Sequence, residues 1–430
     1  MADVSISKLK RLRGELTVPG DKSISHRAAI IAAVSEGISV IKNYSTAIDC
    51  QTTLNCLRRL GADIRRSGRD IVVNGRGLRT LCEPDDVLNC GNSGTTMRLL
   101  CGLLAGQSFA TVLTGDASLR WRPMDRVIKP LNMNGADIHG CRNNRFAPLY
   151  VKGGSLTDIA YHLPVASAQV KSAMLLAGLY ANGKVEIVEP VASRDHTERM
   201  LEWCGVDIGR SGNVISLGQK RQPVARQLQV PGDISSAAFL IALGLLVPDS
   251  RLVLKDVGIN PTRTGILKVL KDMGANVTVE NKRTVANEPV GDLHVSSSAL
   301  KGVEIGGTLI PRVIDELPLI AVIATRAIGR TVVKDAGELR VKESDRISAI
   351  VTELKKMGAA IEETADGFIV EGSTLLHGTN CDSHNDHRIA MALSVAGWIA
   401  EGETTIDNAE CVDISFPEFY KLVKIALSVL

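Results

Sequence analysis

Two kinds of apolar run alternate along the chain. In the first, apolar and charged positions recur at helical spacing, and the run ends in a glycine that leads into a short strand. This happens at Leu60-Gly61-Ala62-Asp63-Ile64, Asn134-Gly135-Ala136-Asp137-Ile138, Cys204-Gly205-Val206-Asp207-Ile208, Met273-Gly274-Ala275-Asn276-Val277 and Met357-Gly358-Ala359-Ala360-Ile361, with the glycines 74, 70, 69 and 84 residues apart. Each glycine stands where a helix C-terminus needs a residue tolerant of positive φ. The second kind is rich in Ala, Leu and Ile and nearly free of charge beyond its first turn or two, at 26–36, 95–104, 168–180, 235–246, 316–327 and 387–400. A helix that is apolar all round belongs in a core, whereas an amphipathic one such as 346–357 belongs outside.

Short β-branched segments lie between the helices, at 39–41, 111–113, 184–188, 251–254, 331–333 and 404–406. The pattern predicts an α/β fold of six βαβαβ-type units. A sixth amphipathic helix, 416–429, has no strand after it, and residues 4–18 can complete that unit. Val18-Pro19-Gly20-Asp21 recurs as Val230-Pro231-Gly232-Asp233, 212 residues on. A chain that crosses between domains at these two phrases makes one domain of 1–20 plus 232–430, holding both termini, and a second of 21–231.

The chain has 430 residues, so two domains are also what its length favours. Its 50 basic and 47 acidic side chains leave a formal charge of +3, and only 3% of residues are aromatic. Neither a polyanion partner nor a stacking platform for single-stranded nucleic acid is expected from that balance. Nine cysteines without a CxxC pair argue against a disulfide framework or zinc ribbon and for reduced thiols in a cytoplasmic enzyme. Residues 1–15 lack the apolar core of a signal peptide, and no apolar run reaches the ~18 residues of a membrane span.

Polar and basic residues gather at the first turns of the apolar helices and in the loops before them. Asp21-Lys22-Ser23-Ile24-Ser25-His26-Arg27 precedes the first, Asn89-Cys90-Gly91-Asn92-Ser93-Gly94-Thr95-Thr96-Met97-Arg98 the second and Ser167-Ala168-Gln169-Val170-Lys171 the third. Asp315-Glu316 opens the fifth and Asn385-Asp386-His387-Arg388 the sixth. A helix N-terminus is already positive, so Arg27, Arg98, Lys171 and Arg388 run against preference and suggest bound anions. Further basic residues stand in Arg120-Trp121-Arg122-Pro123, Ser193-Arg194-Asp195-His196 and Arg340-Val341-Lys342-Glu343-Ser344-Asp345-Arg346, where Lys342 and Arg346 would share a helix face with Glu343 beside them. The total suggests a ligand with more than one phosphate or carboxylate. Cys381, Asp382, His384, Asp386 and His387 crowd one loop, but no second cluster supplies matching ligands and no metal is expected. His26 reads as orienting a loop rather than as a base.

At these residues the chain resembles the 5-enolpyruvylshikimate-3-phosphate synthase family over essentially its whole length. The resemblance rests on Pro19 to Arg27, Gly91 to Arg98, Leu339 to Ile347 and Asp386 to Met391, four ordered motifs. It implies two similar domains, each of three βαβαββ repeats, with the active site in the cleft between them. It implies transfer of the enolpyruvyl group of phosphoenolpyruvate to the 5-hydroxyl of shikimate 3-phosphate with no cofactor. A monomer without a nucleic-acid or membrane partner is expected. Asp315, Glu343 and Lys22 are then the catalytic candidates. Lys22, Gly94, Arg122, Gln169, Arg346 and Arg388 would hold phosphoenolpyruvate, with Arg98 supporting them. Lys22, Ser23, Arg27, Ser167, Gln169, Ser193, Arg194, Asp315 and Lys342 would hold shikimate 3-phosphate.

Three features depart from the commonest family pattern. No Lys precedes Phe416-Pro417; Ser167-Ala168-Gln169 and Ser193-Arg194-Asp195-His196 resemble the glyphosate-tolerant branch; Gly94 keeps the glycine of the sensitive branch and leans towards sensitivity. The sister transferase acting on UDP-N-acetylglucosamine typically begins with Lys-Asn and uses a loop Cys as acid, whereas Lys22-Ser23 and Arg27 stand here and Cys90 and Cys101 look structural. RNA 3′-phosphate cyclases, which share related repeats, would need an adenylation His. A nucleic-acid clamp built from such repeats would need a basic inner face without Asp315 and Glu343.

Overall fold

The computed structural model describes residues 3–428. Twelve helices alternate in the manner of the two apolar runs. They are α1 (Lys22–Ala33), α2 (Ile48–Arg59), α3 (Gly94–Leu104), α4 (Asp125–Met133), α5 (Ala168–Gly178), α6 (His196–Trp203), α7 (Ile234–Leu246), α8 (Gly265–Asp272), α9 (Leu317–Thr325), α10 (Arg346–Lys356), α11 (His387–Ile399) and α12 (Phe419–Ser428). The odd-numbered helices are buried along nearly their whole length, and α2, α4, α6, α8 and α10 bury one face. Val429, expected as the last helical residue, lies outside the described residues.

Five of the outer helices end in the same way. Gly61, Gly135, Gly205, Gly274 and Gly358 have φ between 81° and 99°. The residue after each glycine donates its N–H to a leucine carbonyl five positions back: Ala62 to Leu57, Ala136 to Leu131, Val206 to Leu201, Ala275 to Leu270 and Ala359 to Leu354, at 2.9–3.2 Å. This is the Schellman closure, which needs the left-handed conformation glycine supplies without strain. Five of the inner helices begin with a side-chain cap, from Asp21, Ser93, Ser167, Asp233 and Asp386.

Six small sheets accompany the helices. In the five four-stranded sheets an edge strand runs parallel to its neighbour, and a hairpin follows. The strand leading into each Val-Pro-Gly-Asp phrase pairs with the strand that follows the other phrase. Arg13–Thr17 lies parallel to Arg251–Gly258, and Gln227–Gln229 lies parallel to Glu36–Lys42. The sixth sheet has three strands, and Val4–Ser7 joins it antiparallel to Glu403–Asp407.

The chain divides into two compact units: unit 1 is Met1–Pro19, Pro231–Arg283 and Pro289–Leu430, and unit 2 is Gly20–Val230 with Thr284–Glu288. Each has its own apolar core. Unit 1 is built around α7, α9 and α11, and unit 2 around α1, α3 and α5. In unit 2 a Cβ on Gly102 would fall 2.1 Å from the Ala173 carbonyl oxygen, so only glycine lets α3 and α5 approach this closely.

Two boundaries bear on the chemistry. Helix α1 starts at Lys22, four residues before the expected start, because Asp21 caps it by accepting from Ile24 N at 2.8 Å. Lys342 and Arg346 do not form the expected i, i+4 pair on a helix. Lys342 follows the 3-10 turn Gly337–Val341, and Asp345 caps α10 by accepting from Ser348 N at 3.1 Å, so the helix begins only at Arg346.

Candidate active site

Unit 2 carries one polar cluster. Lys22 opens α1, and its Nζ lies 3.0 Å from Asp49 Oδ2 in the first turn of α2. The buried Arg27 donates from one terminal nitrogen to the Ser23 carbonyl at 2.9 Å, from the other to Ser172 Oγ at 2.8 Å and from Nε to Thr197 Oγ1 at 2.7 Å. His26 is held neutral, first by burial and then by the charges of Lys22 and Arg27. Its Nδ1 pairs with Thr53 at 2.6 Å, and a hydroxyl chain continues through Thr96 to Ser93, the cap of α3. His26 thus links α1 to the glycine-rich loop.

That loop brings two guanidinium groups together. A Cβ on Gly94 would stand 3.3 Å from a terminal nitrogen of Arg98 and 3.4 Å from one of Arg122. Arg122 donates to Asn92 Oδ1 at 2.7 Å, and Arg98 donates to the Pro123 carbonyl at 3.0 Å and to Gln169 Oε1. Gln169 in turn donates to Thr95 Oγ1 at 2.9 Å. Gly94, Arg98, Arg122 and Gln169 therefore form one group, built from the first turns of α3 and α5 and the loop before α4.

The remaining residues of this unit are placed differently. Ser167 caps α5. Ser193 is buried and donates its hydroxyl to Glu189, and Arg194 is half-buried in the loop before α6. Lys171, expected to help receive an anion, does not. Only 1% of its side chain is exposed, and its Nζ lies between Glu189 at 2.8 Å and Glu198 at 2.7 Å. Burial alone would lower its pKa, but the two carboxylates raise it and keep it an ammonium group.

Unit 1 carries the second cluster, centred on Asp315 in the 3-10 turn Ile314–Glu316 before α9. Its carboxylate lies 3.5 Å from Arg263, 3.7 Å from Arg346 and 3.9 Å from Arg388, and Arg388 also donates to its carbonyl at 3.1 Å. Arg346 is 2% exposed, so it is not part of a solvated face. It donates from Nε to Asp386 at 2.7 Å and from a terminal nitrogen to Glu343 at 2.6 Å. Burial would raise the Asp386 carboxyl, but the Arg346 guanidinium outweighs it and holds Asp386 below the usual carboxylate range. Lys342 is pushed below the ordinary lysine value by burial and by Arg346, against the pull of Asp315. A carboxylate among three guanidinium groups, with a second carboxylate at Glu343, suits proton transfer at an anionic reactant.

Two buried members of this cluster were not singled out from sequence. Glu316 has its pKa raised by burial, with Asp315 adding to the effect and Arg263 and Arg388 opposing it. Arg263 donates to Ser235 at 2.6 Å and lies 3.4 Å from Asp233. Its signal was the repeat itself, because its loop between a core strand and an outer helix corresponds to those holding Arg122, Arg194 and Lys342. Near the C-terminus, Ile414-Ser415-Phe416-Pro417 supplies no cation, and the buried Phe416 ring packs 5.6 Å from Phe419.

The crowded loop at 381–387 spreads its side chains. Cys381 is buried and its thiol is pushed up to about 12, His384 turns to Glu353 at 3.1 Å, and Asp386 turns to Arg346. Among the described residues no three His, Cys, Asp or Glu side chains converge to hold a metal.

Basic side chains thus gather near the starts of α1, α3 and α11 and in the loops before the outer helices, and comparison with known proteins gives the class. The family model for EPSP synthase (3-phosphoshikimate 1-carboxyvinyltransferase) matches residues 6–422. A 3-phosphoshikimate 1-carboxyvinyltransferase of Thermodesulfovibrio yellowstonii is 54% identical over 426 residues, covering 97% of this chain and 98% of its own. One from a Thermoanaerobacter species is 53% identical over 419 residues, covering 97% and 99%. The solved EPSP synthase of Acinetobacter baumannii superposes with a TM-score of 0.88 at 43% identity, covering 99% of this chain and 98% of that one. The enolpyruvyl transferase NikO from Streptomyces tendae shares the fold at a TM-score of 0.79 and 17% identity, covering 98% and 96%. The chain belongs to the EPSP synthase family.

Proposed function

We propose that residues of both clusters act in one reaction. The enzyme transfers the enolpyruvyl group of phosphoenolpyruvate to the 5-hydroxyl of shikimate 3-phosphate and releases phosphate, a step of the shikimate pathway. The 5-hydroxyl loses its proton as its oxygen attacks C2, while C3 gains a proton. The tetrahedral adduct then expels phosphate and gives up a C3 proton.

Asp315 is the base or orienter of the 5-hydroxyl, and Lys22 and Glu343 deliver and recover the C3 proton. Phosphoenolpyruvate is held by Lys22, Gly94, Arg122, Gln169, Arg346 and Arg388. Shikimate 3-phosphate is held by Lys22, Ser23, Arg27, Ser167, Gln169, Ser193, Arg194, Asp315 and Lys342. Planar guanidinium groups suit the carboxylates and phosphates of both reactants. The observation that carries this reading is the Asp315 carboxylate, held 3.5–3.9 Å from Arg263, Arg346 and Arg388.

The working protein is a cytoplasmic monomer that uses neither metal nor organic cofactor. The domain division read from sequence, 1–20 plus 232–430 and 21–231, differs from the two compact units at Gly20, Pro231 and Thr284–Glu288. Among the described residues no helix is long and apolar enough to cross a membrane. Gly94 leaves the phosphoenolpyruvate group open and points to glyphosate sensitivity, whereas Ser167-Ala168-Gln169 resembles the tolerant branch. Phosphate release from phosphoenolpyruvate tests the assignment: it should require shikimate 3-phosphate, survive prolonged dialysis against a chelator and be absent with UDP-N-acetylglucosamine.

A further inference from the structure

Unit 2 buries a lysine between two glutamates, and the chemistry above uses none of the three. The Lys171, Glu189 and Glu198 side chains are 1%, 3% and 1% exposed. Burying three charges costs several kcal/mol per ion, and apolar side chains of similar volume are often as stable or more so. Folding stability alone is therefore a weak account of this arrangement.

What the triad touches supplies a better one. Glu189 accepts the Ser193 hydroxyl on Oε1 and the Ser193 N–H on Oε2 at 3.4 Å. Lys171 donates to the Ser193 carbonyl at 3.4 Å. Ser193 is thus gripped through its N–H, side chain and carbonyl, one residue before Arg194. The next residue after Lys171 is Ser172, and the one before Glu198 is Thr197. Their hydroxyls lie 2.6 Å apart, and Arg27 donates to both, at 2.8 Å and 2.7 Å. Helices α5 and α6 therefore carry Lys171 and Glu198 beside the seat of Arg27, and Glu189 follows the strand Val185–Val188. Glu198 Oε2 is buried without a hydrogen bond among the described residues, so the hold of Glu198 on Lys171 runs through Oε1.

We propose that Lys171, Glu189 and Glu198 are positioning residues for shikimate 3-phosphate, setting Ser193, Arg194 and Arg27 through the loop after Glu189 and the start of α6. The inference rests on the reading that those three residues receive this substrate. Lys171 holds the two carboxylates together. Without it they repel, and the Ser193 loop and the Thr197 seat of Arg27 move apart.

The test compares Glu189→Gln and Lys171→Met with the wild-type full-length enzyme, measuring kcat and both KM values. The KM for shikimate 3-phosphate should rise about tenfold, while kcat and the KM for phosphoenolpyruvate stay within about twofold. If Lys171→Met does not fold, the triple variant Lys171→Met/Glu189→Gln/Glu198→Gln removes the charges without stranding one and should show the same split. Unchanged KM values, or kcat and both KM values shifting together, would overturn the proposal. Arg194→Ala separates it from the reading beneath it. A wild-type KM for shikimate 3-phosphate in Arg194→Ala overturns that reading, whereas a raised KM there beside an unchanged KM in Glu189→Gln overturns only the positioning role.

Discussion

Arg346 and Asp386 are joined by two hydrogen bonds, from Nε at 2.7 Å and from a terminal nitrogen at 3.2 Å, and the Asp386 side chain has no exposure. The same carboxylate caps α11 by accepting from Arg388 N at 2.9 Å. One buried aspartate therefore orients a guanidinium from α10 and the helix start that carries a second. Removing one partner of a buried pair costs roughly 3–5 kcal/mol, because the other charge is left uncompensated.

Asp386→Asn keeps the shape and a capping oxygen but loses the charge. The KM for phosphoenolpyruvate should rise at least about tenfold, with a smaller change for shikimate 3-phosphate. The pair also leaves a mark on acid stability. The folded pKa of Asp386 lies below its unfolded value, so the unfolded state binds more protons in the interval between them. The stabilisation is complete above the unfolded pKa of about 3.9 and is lost as pH falls through the folded one. Melting curves below about pH 4 should show this loss in the wild type and less of it in Asp386→Asn.

Lys342 gives an alkaline signature. Burial, reinforced by Arg346, lowers its pKa, so its charge is lost at a lower pH than that of an exposed lysine. The KM for shikimate 3-phosphate should climb on the alkaline side before pH reaches the ordinary lysine value of about 10.4. Lys342→Arg, which stays charged, should flatten that limb. An identical limb in both proteins would remove Lys342 from the binding set.

Gly94→Ala tests the guanidinium group. The added methyl would lie 3.3 Å from a nitrogen of Arg98, which must give by a few tenths of an ångström, and 3.4 Å from one of Arg122, at the edge of ordinary contact. The KM for phosphoenolpyruvate should rise several-fold, and glyphosate should inhibit the variant less than the wild type. Wild-type KM and inhibition would show that Gly94 does not border the anion.

Much of this was legible before the structure. The alternation of helices was readable because a buried helix drops its charges and a Schellman ending demands glycine, and both signals recur with the repeat. Boundaries set by a single cap were less so: Asp21 and Asp345 fix where α1 and α10 begin, and apolar pattern says nothing about them. Lys171 was misread for a related reason. Its partners Glu189 and Glu198 are 18 and 27 residues away, and only folding shows that they meet it in the interior. Glu316 was passed over beside Asp315, because burial, which separates the behaviour of two adjacent carboxylates, is not a property of local sequence.

The central claim is that Asp315 acts on the 5-hydroxyl of shikimate 3-phosphate as phosphoenolpyruvate is consumed. The most direct measurement is phosphate release from phosphoenolpyruvate by the wild type and by Asp315→Ala, each with saturating shikimate 3-phosphate and separately with UDP-N-acetylglucosamine. The wild type should turn over with shikimate 3-phosphate alone. Asp315→Ala should stay folded, keep its KM for phosphoenolpyruvate within a few-fold and lose about 10²–10⁴ in kcat. Wild-type turnover in Asp315→Ala, or phosphate release that depends on UDP-N-acetylglucosamine instead, would contradict it.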